Sequence, residues 1–221
     1  MPLVLVTGSA RANSIAAGIV PRLIADGWQV VTSDLESADY LVDLSTPTGA
    51  EALIAAVTLD RGPISALVLS HAHDVESGIL DTTFESFDRH VAVNARASLL
   101  LIAAFARQIP EEGGAIVALT SDHTTGNLPY GASKGALDRI VISAARELGP
   151  IRISANVLNP GPIDTGWMDE GIRKDLAVRH PSGRLGEPAD VANVVAFLIS
   201  PEGRWISGQL LNADGGFSAR F

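Results

Sequence analysis

Tyr130 and Lys134 stand four residues apart in the stretch Tyr130-Gly131-Ala132-Ser133-Lys134, with Ser121 shortly before them. On a helix, side chains four apart share a face, so this spacing brings an ammonium alongside a phenol. A free phenol titrates at about 10 and is a poor base at neutral pH. A neighbouring cation stabilises the phenolate and draws that value down, which would make Tyr130 an acid–base group. The same spacing also serves as a plain contact on a helix surface, so the pair takes its meaning from its surroundings.

Those surroundings are alternating short apolar runs and longer amphipathic segments. The runs predict strands at Leu3–Val6, Gln29–Thr32, Leu41–Val42, Ala66–Leu69, Ala115–Leu119, Ile153–Val157 and Gln209–Leu211. Helices are expected at about Ser14–Asp26, Gly49–Leu59, Thr83–Ile109, Pro129–Leu148 and Pro188–Ile199, with Gly27 closing the first and Pro110 the third. Runs such as VLV and AIVAL are apolar at consecutive positions, as in strands covered on both faces. The fold class is therefore α/β: a single Rossmann domain over 1–221, with a doubly wound parallel sheet of about seven strands and helices on both faces. Ligands of such sheets lie beyond the carboxyl ends of the strands, which places Tyr130 and Lys134 at the ligand edge.

At the end of the first strand, Thr7-Gly8-Ser9-Ala10-Arg11-Ala12-Asn13-Ser14-Ile15 is a turn of small residues leading into a helix. Small side chains let the backbone bend and admit a pyrophosphate to the helix N-terminal N–H groups, although G-x-G-x-x-G cannot be read here. Asp34 ends the second strand, at the spacing from this turn where a carboxylate can accept from both adenosine ribose hydroxyls. It would repel a 2′-phosphate and so favours NAD over NADP, while Arg11 favours the reverse.

The 221 residues carry 16 basic and 25 acidic side chains, a formal charge of −9, with 47% hydrophobic residues. No Lys/Arg block is present to neutralise phosphates or anionic lipid, so neither a nucleic-acid nor a membrane partner is expected. The absence of cysteine excludes disulfides and thiolate metal sites, and makes a reducing cytoplasm the expected compartment. His71, His73 and His123 lack the spacing of a metal set, so no metal is expected.

Taken together, the motifs resemble those of the short-chain dehydrogenase/reductase family over nearly the whole chain. LVTGSARANSIA resembles its opening turn, VNA around Asn94 a helix signature, IVALTS its serine strand and YGASK its Y-x-x-x-K element. NPGPIDT resembles the P-G-x-x-x-T segment, and RLGEPADVANVVAFLIS with SGQLLNADGG its last helix and strand. The resemblance implies a catalytic tetrad of Asn94, Ser121, Tyr130 and Lys134. Tyr130 would exchange a proton with a carbonyl or alcohol oxygen, and Ser121 would hold that oxygen. Lys134 would bind the nicotinamide ribose, and Asn94 would fix a water linking Lys134 to solvent. It also implies that Gly8, Arg11, Ser14, Ile15, Asp34, Asp43, Leu44, Tyr130, Lys134, Pro160, Gly161, Ile163 and Thr165 line the dinucleotide. Asp43 would approach the adenine amino group, with Ile163 and Thr165 on the carboxamide. A small carbonyl or alcohol substrate is implied, including a 3-oxoacyl thioester, in a homotetramer or homodimer.

Ala12 and Ser14 replace glycines of the family's opening turn, in a form closer to its enoyl reductase branch, while Tyr130 and Lys134 keep the ketoreductase spacing. Leu69-Ser70-His71-Ala72 replaces the usual N-N-A-G, which predicts the loss of side-chain bonds tying the central strands. The stretch from Asp34 to Asp43 leaves little room for a helix. A segment at about 166–186, including Trp167 and Met168, reads as a lid over the substrate. Two rivals remain: a cofactor-independent relative of halohydrin dehalogenases, and a catalytically inactive dinucleotide-binding protein. Lys134, Asp34 and Asp43 weigh against the first and the full tetrad against the second.

Overall fold

A computed structural model describes residues 1–123, 125–166 and 168–219. Seven strands form one sheet: β1 (Leu3–Thr7), β2 (Gln29–Asp34), β3 (Tyr40–Leu41), β4 (Ala66–Leu69), β5 (Gly114–Leu119), β6 (Ile153–Asn159) and β7 (Leu210–Asn212). Every pairing is parallel, in the order β3-β2-β1-β4-β5-β6-β7.

Successive strand residues point to opposite faces, and here both faces are covered. Leu3 and Leu5 enter one core with Leu53, Leu101, Phe105 and Leu137, beneath α2 (Gly49–Arg61), α4 (Ala97–Gln108) and α5 (Leu128–Glu147). Val4 and Val6 enter the other core with Ile19, Leu23, Val191 and Val195, beneath α1 (Ile15–Ala25) and α7 (Pro188–Ile199). The last two helices pack closely at Gly18, where a Cβ would come within 2.6 Å of the Pro188 backbone.

Register decides where the chemistry lies. Thr7 pairs with Ser33 and with Leu69, Leu69 with Ala118, Leu119 with Leu158, and Asn159 with Asn212. The strands thus end level with one another, and Gly8, Asp34, Ser70, Thr120 and Pro160 all leave the sheet on one edge.

Two elements depart from the sequence expectation, while the short connection between β2 and β3 follows it. The expected helix over Thr83–Ile109 is divided into α3 (Phe84–His90), a π-helical segment Val91–Arg96, and α4. Between β2 and β3 no helix forms: residues 35–39 make a short return, in which the Asp39 carboxylate accepts from Thr32 N and Oγ1, both at 2.8 Å. The segment expected to be an irregular lid contains α6 (Glu170–Arg179), capped by Asp169, whose carboxylate accepts from Ile172 N at 2.9 Å. None of its residues is buried, whereas Met168 just before it is. Trp167 lies outside the described residues. Among the described residues, no helix is long and apolar enough to cross a membrane.

The candidate active site

Helix α5 places Lys134 one turn beyond Tyr130, on the face turned to β5. Lys134 is only 2% exposed. Its Nζ donates to the Leu119 carbonyl at 2.9 Å and lies 5.6 Å from the centroid of the Tyr130 ring. Burial lowers the ammonium to about 8, while the carboxylates of Asp138 and Asp74 pull it back up. Tyr130 moves against the sequence expectation. Burial and the nearby Asp74 carboxylate raise its phenol above the ordinary value. In the free protein Tyr130 is therefore a protonated phenol at neutral pH.

Ser121 leaves β5 just past Thr120, whose N–H donates to the Leu158 carbonyl at 2.9 Å. Its Oγ accepts from His123 N at 3.2 Å, so the hydroxyl proton is available for an acceptor outside the chain.

Asn94, 1% exposed, lies within the π-helical segment. Its Oδ1 accepts from His73 N at 2.7 Å, and its Nδ2 donates to the His73 carbonyl at 2.9 Å and to Ser133 Oγ at 2.8 Å. Ser133 Oγ in turn donates to the Tyr130 carbonyl at 2.7 Å. Asn94 thus holds both the loop after β4 and the first turn of α5, where Tyr130 sits. Its own carbonyl accepts from Ser98 Oγ at 3.0 Å.

The replaced N-N-A-G motif costs fewer strand ties than its letters suggest. His71 is buried, and its Nδ1 lies 2.7 Å from Thr7 Oγ1 and its Nε2 3.2 Å from the Val93 carbonyl. Only a donor can face a carbonyl, so Nε2 carries the proton and Nδ1 accepts from Thr7. One imidazole joins β1 to the π-helical segment. Burial and the Lys134 charge lower this ring to about 3, so it stays neutral.

At the cofactor end, Gly8 has φ of 78°, and a Cβ there would come within 2.6 Å of the His71 backbone. Only glycine permits both the turn and that approach. Ser14 is spent as the N-cap of α1, accepting from Ala17 N at 3.2 Å, and Ile15 opens the helix. The Asp34 carboxylate accepts from Ala10 N at 2.8 Å and Leu35 N at 2.7 Å, fastening the turn to β2. Asp43 accepts from Ser45 N at 2.9 Å, with Arg89 at 3.8 Å; these partners hold its carboxyl below the usual range. Leu44 and Pro160 are buried. Gly161, with φ of 64°, donates to Asn159 Oδ1 at 3.2 Å. Ile163 bridges to Gly186, and Thr165 is half-buried beside Asp164, which pairs with Arg173 at 3.2 Å.

The structure brings Ser121, Tyr130, Lys134 and Asn94 to one end of β4, β5 and α5, and fastens Asp34 directly to the turn that follows Gly8. A cavity of about 490 Å³ lies against this turn, lined by Asn13, Gly18, Asp164, Arg173 and Pro188 rather than by Tyr130. Among the described residues, no three His, Asp or Glu side chains converge on a metal position. Asp74 and Asp138, which act on Tyr130 and Lys134, escaped sequence reasoning. The helical spacing of Asp138 from Lys134 was a usable signal; nothing in the sequence marked Asp74.

Fold and site define a Rossmann-type oxidoreductase. A family model described as enoyl-(acyl carrier protein) reductase matches residues 8–218, and the chain belongs to the short-chain dehydrogenase/reductase family. It is 32% identical over 241 residues to the uncharacterized oxidoreductase YjdA of Bacillus subtilis, covering 97% of this chain and 96% of that one. Among solved structures, a blue fluorescent protein from a metagenomic library, in complex with NADPH, superposes with a TM-score of 0.90 at 29% identity, covering 99% and 98% of the two chains. The angucycline C-6 ketoreductase LanV with bound NADP gives 0.87 at 28%, covering 98% and 95%.

Proposed function

We propose that this protein interconverts a small ketone and a secondary alcohol with NAD(P), and that Tyr130 is the acid–base. The observation that carries this reading is the Tyr130–Lys134 pair on one turn of α5, at the same end of the sheet as Ser121. The cofactor turn fits a dinucleotide. Ser9 Oγ is buried there without a partner, and Arg11 is exposed with no hydrogen bond or ion pair among the described residues. Gly8, Ser14, Ile15, Asp34, Asp43, Leu44, Pro160, Gly161, Ile163 and Thr165 would hold it.

When bound, the nicotinamide supplies or takes the hydride. The chain's own residues handle the oxygen. Ser121 donates a hydrogen bond to the carbonyl, and Tyr130, kept protonated by burial, passes its proton to that oxygen in reduction and recovers it in oxidation. Lys134 keeps positive charge beside the phenol as it ionises.

The preference for NAD read from Asp34 finds no support in the neighbours, which are described with NADPH or NADP. Asp34 and Arg11 act in opposite senses on a 2′-phosphate, and the choice rests on their balance. For the substrate, the loops around Tyr130 carry Asp74, Glu76, Asp81 and Asp122 and no Lys or Arg. That charge favours a neutral carbonyl over a carboxylate or a phosphate-bearing thioester.

The test is a titration with NADH and NADPH, then a carbonyl screen with the preferred one, run beside Tyr130→Phe. The variant is expected to lose about a hundredfold or more in kcat while binding the dinucleotide as before. Undiminished turnover by the variant would remove Tyr130 from the reaction.

A further inference from the structure

Asp138 lies one turn past Lys134 on α5. At this spacing the two side chains share a face of the helix. Asp138 Oδ1 is shut off from solvent and has no hydrogen-bond partner among the described residues. Thr120 Oγ1 is likewise enclosed and meets no partner in full hydrogen-bond geometry, yet it is near enough to Asp138 to favour the carboxylate. Thr120 follows Leu119, whose carbonyl receives Lys134 Nζ at 2.9 Å. A half-buried acid thus stands one turn from a buried ammonium, with one carboxyl oxygen closed off from solvent.

The charged neighbours are few. Lys134 faces Asp138 on its own helix and Asp74 from the loop after β4, and its charge also reaches the neutral His71. Asp138 faces Lys134 and Arg139, with the Thr120 hydroxyl acting on it from just past β5; burial drives its carboxyl up and these three oppose the rise.

We propose that Asp138 is a positioning residue whose carboxylate is the counter-charge that keeps the Lys134 ammonium charged and aimed at the Leu119 carbonyl beside Tyr130. Asp138 touches neither substrate nor the reacting atoms; it acts through Lys134. The inference rests on the acid–base reading of Tyr130 for its bearing on catalysis, while the charge relation can be measured without any turnover.

The chain has two lysines, Lys134 and Lys174, so protein labelled with carbon-13 at the lysine Cε gives two resonances that can be titrated in the dinucleotide-free protein. Lys174, exposed on α6, is the internal reference. In Asp138→Asn the Lys134 midpoint is expected to fall by about one pH unit, a tenfold change in acidity, with Lys174 unmoved. Asp138→Glu should restore most of it. Should the Asn variant not fold, Asp138→Ser, smaller and uncharged, is expected to give the same fall.

In kinetics with a carbonyl substrate, the basic limb of the kcat/KM profile should move down by the same amount, with KM little changed. A Lys134 midpoint identical in the Asp, Glu and Asn (or Ser) forms overturns the proposal. Full activity of Tyr130→Phe, with the midpoint still shifted in Asp138→Asn, would instead sink the acid–base reading and leave the Asp138–Lys134 relation standing.

Discussion

The side chain of Asn94 pairs with the main chain of His73 as a neighbouring strand would, taking its N–H at 2.7 Å and returning a hydrogen bond to its carbonyl at 2.9 Å. Asn94→Ala leaves both His73 groups and Ser133 Oγ short of a partner, at about 1–3 kcal/mol for each group that stays buried. Thermal unfolding should drop by several degrees and kcat should fall, because the first turn of α5 loses its brace. A variant as stable and active as the parent would show that the brace is dispensable.

His71 predicts an acid-sensitive fold. In the unfolded chain this ring takes up a proton below about 6.5; in the folded chain it resists until about 3. Between those values the unfolded state binds more protons, so stability is full above about 6.5 and falls with pH, by at most ~1.4 kcal/mol per unit from this ring. His71→Gln should be less stable at pH 7 and show a flatter decline down to pH 4 in urea melts. Parallel slopes for the two proteins would refute the assignment.

Dinucleotide choice should turn on two side chains. Arg11→Ala should weaken NADPH more than NADH, by about tenfold for a surface-exposed charge contact, and Asp34→Asn should shift the ratio the other way. Fluorescence titration of both cofactors measures it. If neither ratio moves, the adenosine ribose does not lie between these residues.

The acidic rim around Tyr130 should be visible in a matched set of ketones. A neutral substrate should exceed its carboxylate-bearing analogue in kcat/KM, the gap should shrink in salt as charges are screened, and Asp74→Asn should narrow it further. An anionic analogue turned over equally well at low salt would contradict the reading.

Much of this was legible in the letters because it depends on periodicity. The strands were found from apolar runs, and Tyr130 and Lys134 fell together because a helix turn is four residues long. What resisted reading depends on contacts distant in sequence. His71 looked like the loss of a strand tie, yet it meets Thr7 and Val93 across the fold. Asp34 was read as a ribose ligand; its carboxylate also clamps the backbone of Ala10. The direction of the Tyr130 shift comes from burial and from Asp74, which the four-residue spacing of Tyr130 and Lys134 does not disclose. Helix α6 is hard to read because its apolar residues Ile172, Leu176 and Val178 form no buried stripe, although Asp169 marks its N-cap.

The π-helical turn at Val91–Arg96 has a consequence for the chain's tolerance of change. Each residue added to or taken from a helix swings everything after it by about 100°. A single deletion in that turn would roll Leu101 and Phe105 off their seats beneath the sheet while leaving the composition almost untouched. The same deletion at the surface return between Asp34 and Tyr40 has no such lever arm. The spacing of the short stretch around Asn94 therefore guards the interior as strictly as any side chain in it.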